Sequence, residues 1–340
     1  MDCPQVSVVM PMYNSARFVR ESVESVLAQT FRDFELIVID DGSSDDGAAI
    51  IASINDSRIR LLRNAENRGI VYTRNRGIQE ARGAYVAVLD SDDLAPPYRL
   101  KRQVDHMERN PQLAGCSGWA YTLWPNGRRT MTGGFALPGS HLVPALMFAN
   151  WVTHSTVMLR TKFLPDPAYR SEFPLAEDYD LVVRLVQHGR FEVIPEPLVD
   201  YRRNESGVSN SKAAQMESCV RRVIVTQLED FGVKPNNREI EIHRYISRRN
   251  LPVSVELLDE IEAWLDKLLA LNGSTRKFDE SIFLGVLAYA WFVACRATTG
   301  VGGGVQIRYW RSRYSRTRTG ITRLELLRFV AKSLLGWPGC

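Results

Sequence analysis

Val86-Ala87-Val88-Leu89-Asp90-Ser91-Asp92-Asp93 is an apolar run that ends in three carboxylates within four positions. The apolar half reads as a buried strand. Anions crowded at its end repel one another, and such a cluster persists where a cation sits among them. Two upstream stretches share the pattern. Val6-Ser7-Val8-Val9-Met10-Pro11-Met12-Tyr13-Asn14 is an apolar run followed by a turn, and Phe34-Glu35-Leu36-Ile37-Val38-Ile39-Asp40-Asp41-Gly42-Ser43 again ends in acids. Strands that deliver polar groups at their carboxyl ends describe an open α/β sheet, whose ligands bind in the crevice beyond those ends.

Around these strands, extended and helical patterns alternate, as a mainly parallel sheet requires. Ala16 to Gln29 puts Phe18, Val19, Val23, Val26 and Leu27 on one helical stripe. A helix starts near Asp45 or Asp46, and Ile59 to Leu62 is a short strand. Tyr72 to Ala81 is a helix that Gly83 ends with a left-handed turn. Pro96-Pro97 opens the helix Tyr98 to Asn110. Leu113 to Leu123 is extended and runs into a hairpin turn at Pro125-Asn126-Gly127. His141 to Ala149 reads as a short helix, Thr153 to Leu159 as a strand, Asp178 to His188 as a helix, and Val193 and Leu198 to Tyr201 as extended pieces. Beyond residue 210 the pattern is helical, with Met216 to Phe231, Ile240 to Arg248, Val255 to Leu271 and Ser281 to Ala297. The expected domains are therefore 1–210 and 211–340. The apolar run Ile282 to Cys295 is too short for a transmembrane helix and reads as buried or interfacial.

With 340 residues, 45% hydrophobic and 24% charged, the chain buries a real core in one large domain or two, and global disorder is excluded. The five cysteines (Cys3, Cys116, Cys219, Cys295, Cys340) are scattered and form no Cys-x-x-Cys pair, so neither a disulfide framework nor a zinc knuckle is indicated. A reducing cytoplasm fits them. The first strand follows Met1 without a basic leader and cleavage site, which argues against a signal peptide. The net charge of +4 hides an asymmetry: residues 296–340 hold nine Arg and Lys against Glu325 alone, leaving −4 on the rest. The basic residues of this tail alternate with Tyr309, Trp310, Tyr314, Phe329 and Trp337. That composition suits a peripheral site on an anionic membrane face, at ~1 kcal/mol per basic residue. A nucleic-acid patch, less favoured here, has a similar composition, and a solvated helical face is the bland reading.

The ordered set Pro11-x-Tyr13-Asn14, Asp40-Asp41-Gly42-Ser43, Asn67-x-Gly69 with Arg74-Asn75-x-Gly77, and Asp90-Ser91-Asp92-Asp93 resembles the family 2 glycosyltransferases of the GT-A fold, over roughly residues 4 to 210. The resemblance implies an α/β fold of GT-A type, a mainly parallel sheet flanked by helices, with a helical C-terminal extension. It also implies inverting transfer of a sugar from a UDP-sugar to a glycan or lipid-linked saccharide acceptor, in cell-surface polysaccharide synthesis.

By the same resemblance Asp41 accepts from the uracil N3–H, Tyr13 stacks on or edges the base, and Pro11 sets the turn. Asp40-Asp41-Gly42-Ser43 also has the composition of a plain turn with a helix cap. Asn67 and Arg74 belong to the nucleotide-binding elements. Arg74 either donates toward nucleotide or phosphate or forms an ion pair with Asp41. Asp90 and Asp92 form the Asp-x-Asp motif; on an extended stretch residues two apart point the same way, and their hard oxygens suit Mg²⁺ or Mn²⁺. The resemblance implies that Asp92 would hold the metal directly and Asp90 would bind ribose or a metal-bound water, with Asp93 either capping the turn or sharing the metal. Glu177-Asp178 resembles the acceptor-site pair, with Asp178 as the base and Glu177 second; both also suit a helix N-terminus structurally. His154 is read near acceptor or diphosphate, or as a core histidine. Tyr201-Arg202-Arg203-Asn204 resembles a segment that closes over the diphosphate, with Asn204 where the family has histidine and with Arg202 or Arg203 left as the clamp. Trp119, Tyr121 and Trp124 form either an acceptor wall or core.

Two other functions compete. A sugar nucleotidyltransferase brings a Gly-rich loop with Lys or Arg near its N-terminus, where this chain has Met12-Tyr13-Asn14. A non-catalytic nucleotide-sugar scaffold with a membrane- or nucleic-acid-binding tail is opposed by the intact acids. No Gly-x-Gly-x-x-Gly follows a strand, so a dehydrogenase is disfavoured.

Overall fold

The structure, a computed structural model, describes residues 3–132, 139–203, 212–247, 254–301, 304–317, 321–335 and 337. It divides into two compact units, residues 1–135 with 151–220 and residues 136–150 with 221–340. The boundary read near residue 210 lies outside the described residues. Residues 136–150, read as part of the first domain, belong with the second unit instead. The cause is local: Gln227 Nε2 donates to Leu146 O at 3.1 Å, His243 Nε2 donates to Met147 O at 2.8 Å, and the His243 ring stacks on Phe148.

Among the described residues the first unit holds one sheet: β1 (Val6–Met12), β2 (Phe34–Asp40), β3 (Ile59–Arg63), β4 (Tyr85–Val88), β5 (Leu113–Leu123), β6 (Arg129–Thr132), β7 (Met158–Arg160) and β8 (Arg190–Arg202). The order β3-β2-β1-β4 is parallel, β7 runs antiparallel to β4, and β5 follows with its hairpin partner β6 and the parallel β8. Every residue of β1 and β2 is buried, as expected for parallel strands covered on both faces. The cover comes from α1 (Val19–Leu27), α2 (Gly47–Ala52), α3 (Ile70–Glu80) and α4 (Arg99–Arg109). Val23, Ile51 and Val104 pack on one face, while Ile78 of α3 packs on the other against Val9, Ile37 and Ile39. α3 approaches so closely that a Cβ on Gly77 would overlap Val9 Cγ1 and lie 2.8 Å from Ile39 Cδ1. Met12 is in register with Asp40 and Val9 with Val88, so the exits of β1, β2 and β4 share one edge.

Three local expectations are corrected. Gly83 is not left-handed: α3 ends in extended backbone at Ala81, and Gly83 is there because a Cβ would lie 2.6 Å from Ser7 N. Thr153 to Leu159 is not one strand but a 3₁₀ turn at His154–Thr156 followed by β7. Polar side chains explain it, since Thr156 Oγ1 lies 2.7 Å from Thr153 O and closes the turn. The extended pieces at 193 and 198–201 are one strand, β8, which keeps pace with β5 through irregularities at Gly118, Trp119 and Ala120.

α5 (Leu142–Ala145) belongs to the second unit and α6 (Glu177–His188) to the first. The second unit continues with α7 (Ala213–Phe231) from Arg221 onward, α8 (Asn237–Ser247), α9 (Val255–Thr275), α10 (Glu280–Ala297), α11 (Gly304–Arg311) and α12 (Arg323–Leu335). α10 extends beyond the Ile282–Cys295 run and is long and apolar enough to cross a membrane by length and composition alone. It is 67% buried inside the protein, with Phe283, Leu287 and Trp291 fully enclosed.

Candidate active site

The β2 exit is locked to the loop before α3. Asp41, buried, accepts from Asn64 Nδ2 at 2.6 Å and from the backbone N–H groups of Arg68 and Gly69 at 2.9 Å each. Gly42 has φ +70°, and a Cβ on it would lie 2.6 Å from the Glu66 carbonyl carbon; the turn therefore needs glycine on both counts. Asn67 sits exposed on the same loop. The β1 exit is pinned to the same turn, with Asn14 N donating to Ser43 Oγ and Ser44 N to Asn14 Oδ1, both at 2.9 Å. Pro11 is buried in β1, and Tyr13 is left 51% exposed at its end.

Beyond β4 the chain does not stay extended: Asp93 N donates to Asp90 O at 3.1 Å, so Asp90 to Asp93 form a turn rather than the extended Asp-x-Asp read from sequence. Arg74 is the buried cation facing this turn. Its Nη2 donates to Asp90 Oδ1 at 2.9 Å and its Nη1 to Glu177 Oε1, with Tyr169 beneath the guanidinium. The ion pair with Asp41 considered for Arg74 is not formed; Asp90 and Glu177 take its place. Burial opposes the charge on Asp90, but Arg74 outweighs it and holds the carboxyl below the usual range. Ser155 Oγ donates to the other oxygen of Asp90 at 3.1 Å.

Its neighbours are less well served. Burial, then the charge of Asp90, pushes Asp92 up to about 6. Asp93 is fully buried, and burial followed by the charges of Asp92 and Asp90 pushes it well up. Its Oδ1 accepts from Arg202 N at 2.9 Å, while Oδ2 has no partner among the described residues. Arg202 lies beside the turn: Nε donates to Asp92 O at 2.9 Å and Nη2 to Glu21 at 2.7 Å, over the Phe18 ring. Arg203 is exposed with its guanidinium over Trp124. Asn204 lies outside the described residues.

The acceptor-side acids open α6. Burial, then the charge of Glu177, pushes Asp178 up to about 7. Glu177 is buried, with Oε2 partnerless among the described residues. Asp180, the next acid, is tied to Arg170 and Arg184 and is structural. His154 pairs with the Tyr169 hydroxyl at 2.9 Å, and burial, then Arg74, pushes it down to about 3, so the ring is neutral. Asn75 grips Tyr169 through both backbone groups, at 2.7 and 2.9 Å. The Arg74-Asn75-x-Gly77 motif thus acquires a physical account: bridge the acids, hold Tyr169, and let α3 lie flat on the sheet. Trp119 is half-buried on β5 opposite Pro197, and Trp124 Nε1 donates to Thr130 Oγ1 inside the hairpin.

Arg99 was missed in the sequence. Fully buried, it donates through Nη2 to Val88 O at 2.7 Å and through Nε to Gln103 Oε1 at 3.0 Å, which places a cation behind the acids at the end of β4. Burial pulls it down to about 10, so it keeps its charge. The signal was present as an Arg and a Gln four apart on the helix after the acid turn.

Comparison with known proteins follows the same geometry. The family profile described as Glycosyl transferase family 2 matches residues 7–157. An uncharacterized glycosyltransferase of Methanocaldococcus jannaschii is 33% identical over 59% of this chain and 72% of its own length. The Escherichia coli UDP-Glc:alpha-D-GlcNAc-diphosphoundecaprenol beta-1,3-glucosyltransferase WfgD is 31% identical over 64% of this chain and 84% of its own. Among solved structures, S. aureus TarS 1–349 in complex with UDP-GlcNAc superposes with a TM-score of 0.56 at 19% identity, over 85% of this chain and 90% of that one, a likeness of fold.

Proposed function

This chain belongs to glycosyltransferase family 2, and we propose from that premise that it moves a hexose from a UDP-sugar to a lipid-linked saccharide or glycan, with inversion at the anomeric carbon. The name of the E. coli relative, a UDP-Glc enzyme acting on a diphosphoundecaprenol-linked GlcNAc, supports this donor and acceptor class and a role in cell-surface polysaccharide synthesis. The observation that carries the reading is the Arg74 bridge, which ties the strand-end acids to the Glu177-Asp178 pair.

Donor recognition falls to the joined exits of β1 and β2. Tyr13 offers an exposed ring to the base, and the Asp41 carboxylate, although it accepts three hydrogen bonds, has acceptor capacity left. Pro11 and Asn67 shape the rim. A Mg²⁺ or Mn²⁺ fits the acid turn: its donors are hard oxygens, Asp92 is raised by burial and then by the charge of Asp90, and Asp93 Oδ2 is a buried acceptor without a partner among the described residues. Asp92, with Asp90, would hold the ion, and the donor diphosphate would complete its shell, since no group of three ligating side chains is gathered for it among the described residues. Bound there, it would neutralise charge on the leaving diphosphate.

Asp178 is the base. A carboxyl raised to about 7 is matched to taking a hydroxyl proton near neutral pH. As the acceptor oxygen bonds to the anomeric carbon, its proton passes to Asp178 and the bond to the diphosphate breaks. Glu177, held by Arg74, positions its neighbour. A single base carboxylate, with no separate covalent nucleophile assigned among the described residues, is what supports inversion. Among the described residues Cys3, Cys116, Cys219 and Cys295 are free thiols, which supports a reducing, cytoplasmic setting.

The test is a thermal-shift titration of UDP, CDP and GDP with and without Mn²⁺. Stabilisation by UDP above the other two, enhanced by Mn²⁺, is expected; indifference to all three nucleotides would reject the donor assignment.

A further inference from the structure

The last described helix of the second unit turns leucines as well as arginines to water. In α12, Leu324, Leu327, Leu334 and Leu335 are 55, 67, 69 and 60% exposed. Spacings of three and seven put Leu324, Leu327 and Leu334 on one face. The opposite face is already filled: Phe329 is buried against Phe292 and Tyr309, and Gln306 Nε2 donates to Val330 O at 2.9 Å and to Ser333 Oγ at 2.6 Å. The helix also has a firm start. Thr322 and Glu325 form a reciprocal capping box, with Thr322 N donating to Glu325 Oε2 at 2.8 Å and Glu325 N to Thr322 Oγ1 at 3.2 Å. Trp337 follows, 60% exposed yet held by its backbone, its N–H on Lys332 O at 2.9 Å and its carbonyl accepting from Thr299 at 2.8 Å. α11, joined to α12 through Gln306, adds Ile307 and Trp310, 55 and 47% exposed.

Asp259 and Asp266 take up Arg308 and Arg313, and the charges left beside these side chains are basic. Arg311, Arg316, Arg323 and Arg328 are exposed, and no ion pair engages them among the described residues. Glu325, the sole acid of residues 296–340, is consumed by its cap. A second copy of the chain would set arginine against arginine. Single-stranded nucleic acid would use the arginines and tryptophans but leave the leucines in water. An anionic bilayer uses all three, with leucines in the acyl boundary, tryptophans at headgroup level and arginines on lipid phosphates.

We infer that the exposed face of α11 and α12, with Trp310, Leu327, Leu334 and Trp337 as insertion points and Arg323 and Arg328 as headgroup contacts, docks the protein on an anionic membrane surface. The full chain is sedimented with vesicles of phosphatidylcholine alone and with added phosphatidylglycerol. Roughly tenfold stronger partitioning to the anionic vesicles is expected, weakening as salt is raised. Leu327→Glu with Leu334→Glu should lose binding about tenfold while circular dichroism and UDP affinity stay unchanged, and Arg323→Glu with Arg328→Glu should lose the preference for anionic lipid. The inference is overturned by equal binding of both vesicles, by unchanged binding in both double variants, or by a lipid-independent dimer that the leucine variant dissociates. Preferential capture of an oligonucleotide over anionic vesicles would overturn it as well.

Discussion

Arg74 Nη2 stands 2.9 Å from Asp90 Oδ1 while Nη1 of the same buried guanidinium holds Glu177, so one side chain of α3 fixes two acids that lie 16 and 103 residues away. Among the described residues Arg74 is the ion-pair partner of both acids. Removing the cation strands both charges. Arg74→Met should therefore lower stability by about 3 kcal/mol, the cost of breaking a buried pair from one side, read from urea midpoints. Arg74→Lys keeps the charge but cannot fork to two carboxylates, so it should recover part of the stability and little of the turnover. A Met variant as stable as the parent would show that the bridge is not formed.

Asp178→Asn should leave UDP affinity within about twofold and lower transfer by 10²-fold or more, roughly the contribution of a positioned base. In the parent, kcat/KM should rise with pH through about 7, because the base works only after losing its proton and burial beside Glu177 raises it to that value. The variant should lose this rise. Steady-state rates between pH 5.5 and 8.5 (about the range where such a group titrates) decide it; a flat parental profile would assign the proton elsewhere.

The same carboxyl makes a stability prediction of opposite sense. A folded-state value raised from 3.8 to about 7 means that the fold prefers the protonated acid. Its favourable contribution is complete below pH ~4 and lost as pH climbs through ~7. Asp92, raised to about 6, acts in the same direction. Ligand-free protein should thus be less stable at pH 8 than at pH 5, by about 1–2 kcal/mol after allowance for partial solvent access. Asp178→Asn should be more stable than the parent at pH 8 and equal to it near pH 4, as followed by denaturant unfolding at the two values.

Asp92→Ala separates donor from base. It should remove the Mn²⁺-dependent part of UDP binding, about tenfold or more in Kd, and leave the metal-independent part, which rests on the Tyr13 and Asp41 region. Calorimetry with and without Mn²⁺ measures both. Retained metal dependence would move the ion to another site.

Much of this was legible because the decisive strands are buried on both faces and so read as unbroken apolar runs, and because the acids interrupt those runs at one edge. The partners of the acids were not. Ser155 reaches Asp90 across 65 residues and Tyr169 lies under Arg74 from a distant segment, with no period in the sequence to mark either; Arg99, behind the turn on Val88 O, left only its spacing to Gln103. Thr153 to Leu159 reads as a strand, while the hydroxyl of Thr156 closes a turn at its start and takes His154 out of it. Arg202 looked available for phosphate because its engagement by Glu21 lies 181 residues away in sequence.

Gly77 tests the packing that puts Arg74 in place. It faces β1 and β2 from the middle of α3, where helix propensity alone favours alanine by about 1 kcal/mol. A methyl group there would overlap Val9 Cγ1 and lie 2.8 Å from Ile39 Cδ1, both in buried strands with no room to withdraw. Gly77→Ala should therefore destabilise, by about 1–3 kcal/mol for an overpacked core, despite its better propensity. Because relief comes by lifting α3 off the sheet, the guanidinium of Arg74 should move with it. Transfer should then fall more than UDP affinity, since the acids it joins include the pair at the start of α6. An alanine variant that gains stability would mean that α3 does not lie this close to β1.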